Sequence, residues 1–300
     1  ASLPSEQVTL QLERASMTLG VQAGRSKAHV KGIAAEDFPA IATISETPPS
    51  TRIDPVTFRE MIAQVAFAAA TDDSRPVLAG VLAEFSGSSL SLAAADGFRL
   101  SLRRAELSAP VTDEMAIIIP ARALQELSRI IGDQTDPIEL AVTPQQSQLL
   151  IRSGSIEFMT RLIDGHFPDV KRIIPDQYQT RVILNRDAFL AAARRARLFA
   201  ESNNDVVKIE MTPGDGDLDP GFATVSAQAA ETGDNEDYLE ARVEGEQMQI
   251  AFNSRYLTDV LAVLRGTEVA LEMKGTNAAG VFKLAGDADF THVIMPIVMG

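Results

Sequence analysis

The chain contains an internal repeat, and this repeat constrains its fold more than any other feature of the sequence. Phe38-Pro39 recurs as Phe167-Pro168, 129 residues later. Thr51-Arg52 recurs as Thr180-Arg181, again at an offset of 129 residues. Equal offsets at two separate landmarks indicate a duplicated structural unit. We therefore expect the chain to be built from copies of one module.

A second, fainter match supports this division, because Phe158 aligns with Phe290 at an offset of 132 residues. The two offsets together predict two full modules, residues 50–174 and residues 176–300. Residues 1–47 match only the final strands of a module. They are predicted to be the second half of a first domain.

Each full module is predicted to combine two amphipathic helices with antiparallel strands. Apolar residues recur at helical spacing over residues 56–68 and residues 187–200, with polar residues on the opposite face. A second helix in each module is expected to begin near Pro120 and near Ser254. Two short helices on one side of antiparallel strands define an α+β module.

Residues 81–93 read as a β-hairpin. Apolar residues alternate over Val81–Phe85 and again over Leu90–Ala93, and Ser86-Gly87-Ser88 supplies a turn between them. Asp96-Gly97 is a second turn signal shortly after the hairpin.

Composition excludes several classes of protein. The hydrophobic content is 45%, which is typical of a globular chain, and no apolar run is long enough to span a membrane. No secretory signal is visible and the chain contains no cysteine, so we expect a cytoplasmic protein without disulfides. The net charge of −14 argues against binding nucleic acid through a large basic surface.

Signals for catalytic or metal chemistry are weak. The three histidines, His29, His166 and His292, are too scattered for a metal-ligand set. Residues 215–219 begin like a calcium-binding loop, but Pro220 stands where such a loop requires glycine, so we predict a hairpin turn. We therefore expect no cofactor, no metal and no enzymatic activity.

Five segments resemble, in order and spacing, the family of bacterial DNA sliding clamps, the beta subunits of DNA polymerase III. These segments are residues 75–80, 95–100, 162–170, 252–257 and 293–297. The resemblance implies three clamp domains per chain, the first of them lacking its first half here. It also implies that two chains close head-to-tail into a homodimeric ring around duplex DNA, with helices lining the hole and sheets forming the outer wall.

A ring that encircles DNA needs only weak, sequence-independent attraction to phosphates, so the resemblance is compatible with an acidic chain. The candidates for a locally positive lining are Arg75, Arg122, Arg129, Arg194, Arg195, Arg197 and Arg255. The alternative is that these arginines belong to ordinary solvated helix faces.

The resemblance also implies a cleft between the second and third domains that binds short linear peptides of the replicative DNA polymerase, the clamp loader and other partners. Carried over to this sequence, the cleft residues are Leu78, Ala95, Gly97, Phe98, Arg99, Leu100, Pro168, Arg172, Ile173, Asn253, Tyr256, Val293, Ile294, Met295, Pro296 and Ile297. Ala95, Phe98 and the ending at residues 298–300 depart from the residues common in the family, and Phe98 makes the rim more apolar. The alternative is that residues 293–295 form a plain terminal strand.

For ring closure, the resemblance implies contacts from Ala28 and Val30 of one chain and from Leu198 and Phe199 of the other, although core packing would explain all four. The sequence as a whole thus predicts a non-enzymatic sliding clamp. The alternative is a monomeric peptide-binding scaffold that keeps the clamp fold and does not close a ring. A hydrolase would need a catalytic cluster that the sequence does not contain.

Overall fold

The computed structural model describes residues 7–38, 43–45, 47, 50–72, 74–215 and 220–298. The chain divides into two compact units, residues 1–43 and residues 44–300. Two features predicted from the sequence, the turn at 216–219 and the final residues 299–300, lie outside the described residues.

The smaller unit contains one antiparallel sheet. Its strands are β1 (Val8–Glu13), β2 (Thr18–Ala23) and β3 (Ser26–Lys31), paired in the order β1-β2-β3, with a 3₁₀ turn at Ala35–Asp37. Both outer strands expose all six of their residues. Leu10 and Leu12 are 63% and 56% exposed, so this sheet buries no apolar core of its own.

The larger unit contains two copies of one element order, which is a strand, a helix, four strands, a helix and three strands. We call residues 51–161 module A and residues 180–294 module B. In module A the elements are β4 (Thr51–Ile53), α1 (Pro55–Val65), β5 (Gly80–Ser86), β6 (Ser89–Ala95), β7 (Arg99–Glu106), β8 (Met115–Pro120), α2 (Ala121–Ile131), β9 (Ile138–Val142), β10 (Gln148–Ser153) and β11 (Ile156–Arg161). In module B they are β12 (Thr180–Asn185), α3 (Arg186–Ala200), β13 (Val206–Thr212), β14 (Phe222–Ala229), β15 (Gly233–Gly245), β16 (Met248–Asn253), α4 (Ser254–Val263), β17 (Glu268–Met273), β18 (Gly280–Leu284) and β19 (Phe290–Ile294).

Side-chain caps fix the start of three of these helices. Asp54 caps α1 by accepting a hydrogen bond from the Thr57 backbone, and Pro55 follows at the first helical position. This backbone hydrogen bond lowers the pKa of Asp54. Asn185 and Asn253 cap α3 and α4 in the same way. Helix α2 begins directly after Pro120, as the sequence predicts.

Each module buries a core between its helices and one face of its strands. In module A, Phe58 of α1 and Leu124 of α2 pack with Leu92 of β6. In module B, Phe189 of α3 and Leu257 of α4 are fully buried in the equivalent core. The predicted α+β class is therefore confirmed.

A continuous twelve-stranded sheet joins the two modules. The last strand of module B, β19, pairs antiparallel with β7 of module A, and Val293 lies opposite Leu100. The helices contact one another as neighbours, α2 with α1, α1 with α4, and α4 with α3. Among the described residues, no helix is long and apolar enough to cross a membrane.

Candidate functional site

An apolar cluster lies where the two modules meet, on the face of the sheet opposite the helices. Because side chains alternate along a strand, Leu92 of β6 packs under the helices while its neighbours Ala93 and Ala95 face outward. The outward cluster combines buried residues of β6, β7, β18 and β19 with the segment that links the modules. Its buried members are Ala93, Ala95, Leu100, Leu102, Ile118, Phe167, Val170, Ala279, Val281 and Val293, and Val77, Leu78, Leu82, Ile163 and Ile174 pack against them.

The turn between β6 and β7 borders this cluster, and the carboxylate of Asp96 shapes it. Asp96 Oδ1 accepts hydrogen bonds from the backbone N–H groups of Phe98 and Arg99, at 2.9 and 3.0 Å. Gly97 adopts a φ of +97°, which favours glycine. Arg75 Nη1 donates to the Asp96 carbonyl oxygen at 2.9 Å. The turn is therefore held from both sides, and Arg75 lies beside it rather than on a helix.

The rim of the cluster is apolar and exposed. Phe98 is 58% exposed and Met295 is 43% exposed. The Met295 backbone N–H donates to the Phe98 carbonyl oxygen at 2.8 Å, and the Ile297 N–H donates to the Ala251 carbonyl oxygen at 2.8 Å. The chain after β19 thus crosses from module A to β16 of module B. Large apolar side chains that remain exposed beside a buried cluster are typical of a binding surface.

Arg99 fastens the turn to both modules from beneath. Its guanidinium donates to Asp96 Oδ2 at 3.0 Å, to Asp259 Oδ2 at 2.7 Å and to the Phe67 carbonyl oxygen at 2.9 Å. The guanidinium carbon also lies 4.4 Å from the centre of the Tyr256 ring. Burial raises the pKa of Tyr256, with a further contribution from the charge of Asp96. Because Arg99 is engaged on every side, it stabilises the cleft and has few donors left for a ligand.

The remaining predicted cleft residues occupy different positions. Pro168, Arg172 and Ile173 are exposed on the segment that links the modules, and Arg172 pairs with Asp169 at 2.8 Å. Ile294 is fully buried in the core of module B, because it faces away from Val293 along β19. The structure therefore assigns Ile294 to the core rather than to the cleft surface.

Asn253 and the final residues also differ in accessibility. The side chain of Asn253 is used to cap α4, so its amide oxygen already accepts hydrogen bonds. Pro296 and Ile297 are half-buried, whereas Leu100 is buried in the floor of the cleft.

A polar contact lies inside the junction, on the helix side of the sheet. The buried Ser101 hydroxyl donates to the Gln64 carbonyl oxygen at 2.7 Å and lies 2.9 Å from Nδ1 of His292. Nδ1 must then carry the hydrogen, because the hydroxyl has only one hydrogen to donate. Burial, followed by the charge of Arg99, lowers the pKa of His292 to about 3. His292 is therefore neutral at physiological pH.

Most of the arginines predicted to face DNA are paired with carboxylates. Arg195 binds Asp237, Arg129 binds Glu126, Arg197 binds Glu201 and Arg255 lies 3.4 Å from Asp205. Hydrogen bonding to Asp237 raises the pKa of Arg195. Arg122 and Arg194 are exposed and make no ion pair with any described residue. The helix layer therefore offers little uncompensated positive charge.

The residues predicted for ring closure are mainly exposed. Val30 of β3 is 54% exposed, Ala28 is also exposed, and Leu198 of α3 is 70% exposed. Phe199 is half-buried and packs against the core of module B. These placements leave Ala28, Val30 and Leu198 accessible.

Sequence reasoning missed several residues that organise this region. Asp96 was identified only as part of a turn, although an aspartate two residues before a backbone donor is a known turn-forming arrangement. Asp259 and Phe67 hold Arg99, but no local signal in the sequence links them to it. Only the pairing of distant elements reveals those contacts.

Fold and site together define a protein of repeated α+β modules, with a helix layer on one face and an apolar cleft on the other. Residues 52–169 match the family model for the central domain of the DNA polymerase III beta subunit, and residues 171–298 match the model for its C-terminal domain. The beta sliding clamp of Bacillus subtilis strain 168 is 30% identical over 297 residues, covering 98% of this chain and 76% of that protein. The beta sliding clamp of Staphylococcus aureus strain Mu50 is 31% identical with the same coverage.

Similarity extends to a solved structure. The DNA polymerase sliding clamp from Bacillus subtilis superposes with a TM-score of 0.87 at 28% identity, covering 100% of this chain and 77% of that one. The chain therefore belongs to the beta sliding clamp family, the beta subunits of DNA polymerase III.

Proposed function

We propose that this chain acts as a DNA sliding clamp, a non-catalytic processivity factor that encircles duplex DNA and tethers the replicative polymerase. Two chains would close head-to-tail into a ring of three domains each, with the divisions near residues 1–47, 50–174 and 176–300. The clamp loader and other partners would dock through short peptides in the cleft described above.

The junction between the modules carries this proposal, because it is a template for ring closure. There the last strand of one module, β19, pairs with the third strand of the preceding four-stranded run, β7. The equivalent elements left over are β3 and β15. β3 pairs with β2 alone, and residues 233–238 of β15 pair, among the described strands, with β14 alone. A second copy of the chain would supply each with its missing partner, and two such contacts close a ring.

Charge favours the same contact. β3 contains Lys27, His29 and Lys31 and no acidic residue, whereas residues 233–238 contain Asp234, Glu236 and Asp237. Complementary charges speed the encounter of two surfaces and oppose incorrect pairings such as β3 with β3. We therefore expect ring closure to weaken as ionic strength rises.

The repeat also predicts the register of this contact. The two offsets carry Val30 of β3 onto Met159 and then onto Thr291, which lies opposite Leu102. Leu102 belongs to the second outward-facing pair from its turn, and the corresponding residue of β15 is Glu236. Val30 of one chain should therefore face Glu236 of the other.

An engineered disulfide tests this register without background, because the chain contains no cysteine. Directly opposed residues of antiparallel strands lie close enough for a disulfide. The Val30→Cys, Glu236→Cys variant should form a covalent dimer under mild oxidation, seen in a non-reducing gel. The control, Val30→Cys with Glu240→Cys, displaces one thiol by four residues and should stay monomeric. If neither variant dimerises, ring closure is wrong and the monomeric scaffold becomes the better account.

Peptide binding rests on the exposed rim beside a buried apolar floor, since apolar pockets with a few fixed polar groups suit short peptide anchors. Met295 can adapt its shape to different side chains. Phe98→Ser should weaken a polymerase-derived peptide about tenfold, because it removes an exposed aromatic contact from the rim. Fluorescence polarisation measures the change, and equal affinity for both forms would argue against the cleft.

A further inference from the structure

A second pocket lies on the outer face of module A, at the end of the sheet away from module B. It is an open cavity of about 490 Å³. Its lining residues are Glu84, Phe85, Ser86, Ser89, Ser91, Arg104, Glu114, Met115, Ala116 and Lys171. The sheet register places Ser91 directly between Glu84 on β5 and Arg104 on β7.

Two groups in this pocket have unused hydrogen-bonding capacity. Ser91 is 9% exposed, and its hydroxyl is buried without a hydrogen-bond partner. Arg104 is exposed and makes no ion pair within the part of the chain that the structure describes. The other charges are compensated, because Lys171 pairs with Glu84 at 3.0 Å and Glu114 accepts a hydrogen bond from Ser86 at 2.5 Å. The unpaired groups are thus one cation and one neighbouring hydroxyl.

Carboxylates suit this pair. A guanidinium donates to a carboxylate through strong, charge-assisted hydrogen bonds, and a neighbouring hydroxyl can donate to a second lone pair of the same group. A buried hydroxyl without a partner costs free energy that such an acceptor would recover. The acidic residues already present are held by Lys171 and Ser86, so the acceptor must come from outside.

An apolar pocket of about 290 Å³ adjoins the first and shares Glu84 and Lys171 with it. Its floor contains Ala93 and Leu102, which lie opposite each other in the sheet, one row nearer the cleft than Ser91 and Arg104. The two rows are two residues apart along the strands, a distance of about 6.6 Å. This is also the distance between alternate side chains of an extended peptide, which point to the same side.

We propose that these paired pockets bind an extended peptide segment with an acidic and an apolar residue at alternate positions, the acidic side chain lying between Arg104 and Ser91. The apolar side chain enters the pocket over Ala93 and Leu102. This site is separate from the cleft at Phe98 and Met295, and it gives partners a second point of attachment on the same face. Two linked contacts raise the overall affinity of a partner more than either alone.

Nuclear magnetic resonance with a small peptide tests the proposal. The probe is acetyl-Leu-Gly-Asp-Gly-Leu-amide, which places a leucine two residues from the aspartate in either chain direction. It should shift the backbone amide signals of Ser91 and Arg104 in a saturable way. Binding in the cleft is read separately at the amides of Gly97 and Met295, so failure at one site is distinguishable from failure at the other.

Matched ligands and variants complete the experiment. Replacing the probe's aspartate by asparagine, or the protein's Arg104 by glutamine, should weaken binding about tenfold, because each removes the charge-assisted contact. Arg265→Gln, which removes an exposed arginine elsewhere, should leave the affinity unchanged. Equal shifts from the asparagine peptide, or undiminished binding by Arg104→Gln, would refute the proposal. Succinate binding as tightly as the peptide would refute a peptide ligand.

Discussion

Arg99→Met should destabilise the junction between the two modules by about 3–5 kcal/mol, within the range observed when one partner of a buried ion pair is removed. The side chain is 10% exposed and donates to three acceptors in both modules. Methionine preserves much of the apolar stem and removes all three hydrogen bonds.

The three acceptors do not contribute equally. Asp96 is 12% exposed at its side chain, so its loss of a charged partner is costly, about 1.5–3 kcal/mol. The Phe67 carbonyl adds a further hydrogen bond to a charged donor. Asp259 is 42% exposed and can be hydrated instead, so its share should stay below about 1 kcal/mol.

Urea unfolding followed by circular dichroism measures the total, and double-mutant cycles measure the shares. The coupling of Arg99→Met with Asp96→Asn should exceed its coupling with Asp259→Asn. Hydrogen exchange of peptides covering β19 should also accelerate, because β19 pairs with the strand that Arg99 begins. A total cost below about 1 kcal/mol, or a larger coupling with Asp259, would refute this assignment of Arg99.

Three further predictions concern packing, pH and DNA. Gly80→Ala should cost about 1–3 kcal/mol in urea unfolding, because the added Cβ would lie within 3.0 Å of a β8 isoleucine. The pKa of His292 is about 3 when folded, against 6.5 for an ordinary histidine, so between these values only the unfolded chain gains the proton. Stability should therefore fall by about 1.4 kcal/mol per unit as pH drops from 6.5 to 3, and His292→Asn should remove this part of the slope in acid titrations of unfolding. Arg122→Gln with Arg194→Gln should reduce the salt dependence of DNA binding by about two phosphate contacts, measured as the slope of log affinity against log salt, whereas Arg129→Gln, whose charge is already paired, should change it less.

The repeated fold could be predicted from the sequence because its signals are local. Helical periodicity over residues 56–68 corresponds to α1 (Pro55–Val65) and the 3₁₀ turn that follows at Ala66–Ala68. The turn at Gly87 joins β5 and β6, and Gly87 has the positive φ of +55° that a tight hairpin requires. Each of these features depends on residues close together in the chain.

The details of the cleft could not be predicted, because they depend on which side of a strand each residue faces and on distant partners. The run from Val293 to Ile297 was assigned to the cleft as a whole, but alternation along β19 turns Ile294 into the core. Arg99 was predicted to bind peptide, whereas contacts with Phe67 and Asp259, far away in sequence, make it a structural link.

Topological retention on DNA tests the central claim most directly. The Val30→Cys, Glu236→Cys variant is assembled on nicked circular DNA, oxidised to close the ring, and washed in 1 M salt, where electrostatic attraction to phosphates is largely screened. A closed clamp should remain bound to the circle and be released when a restriction enzyme linearises the DNA. Release from the intact circle by salt alone, despite complete cross-linking, would contradict the account of this chain as a ring that encircles DNA.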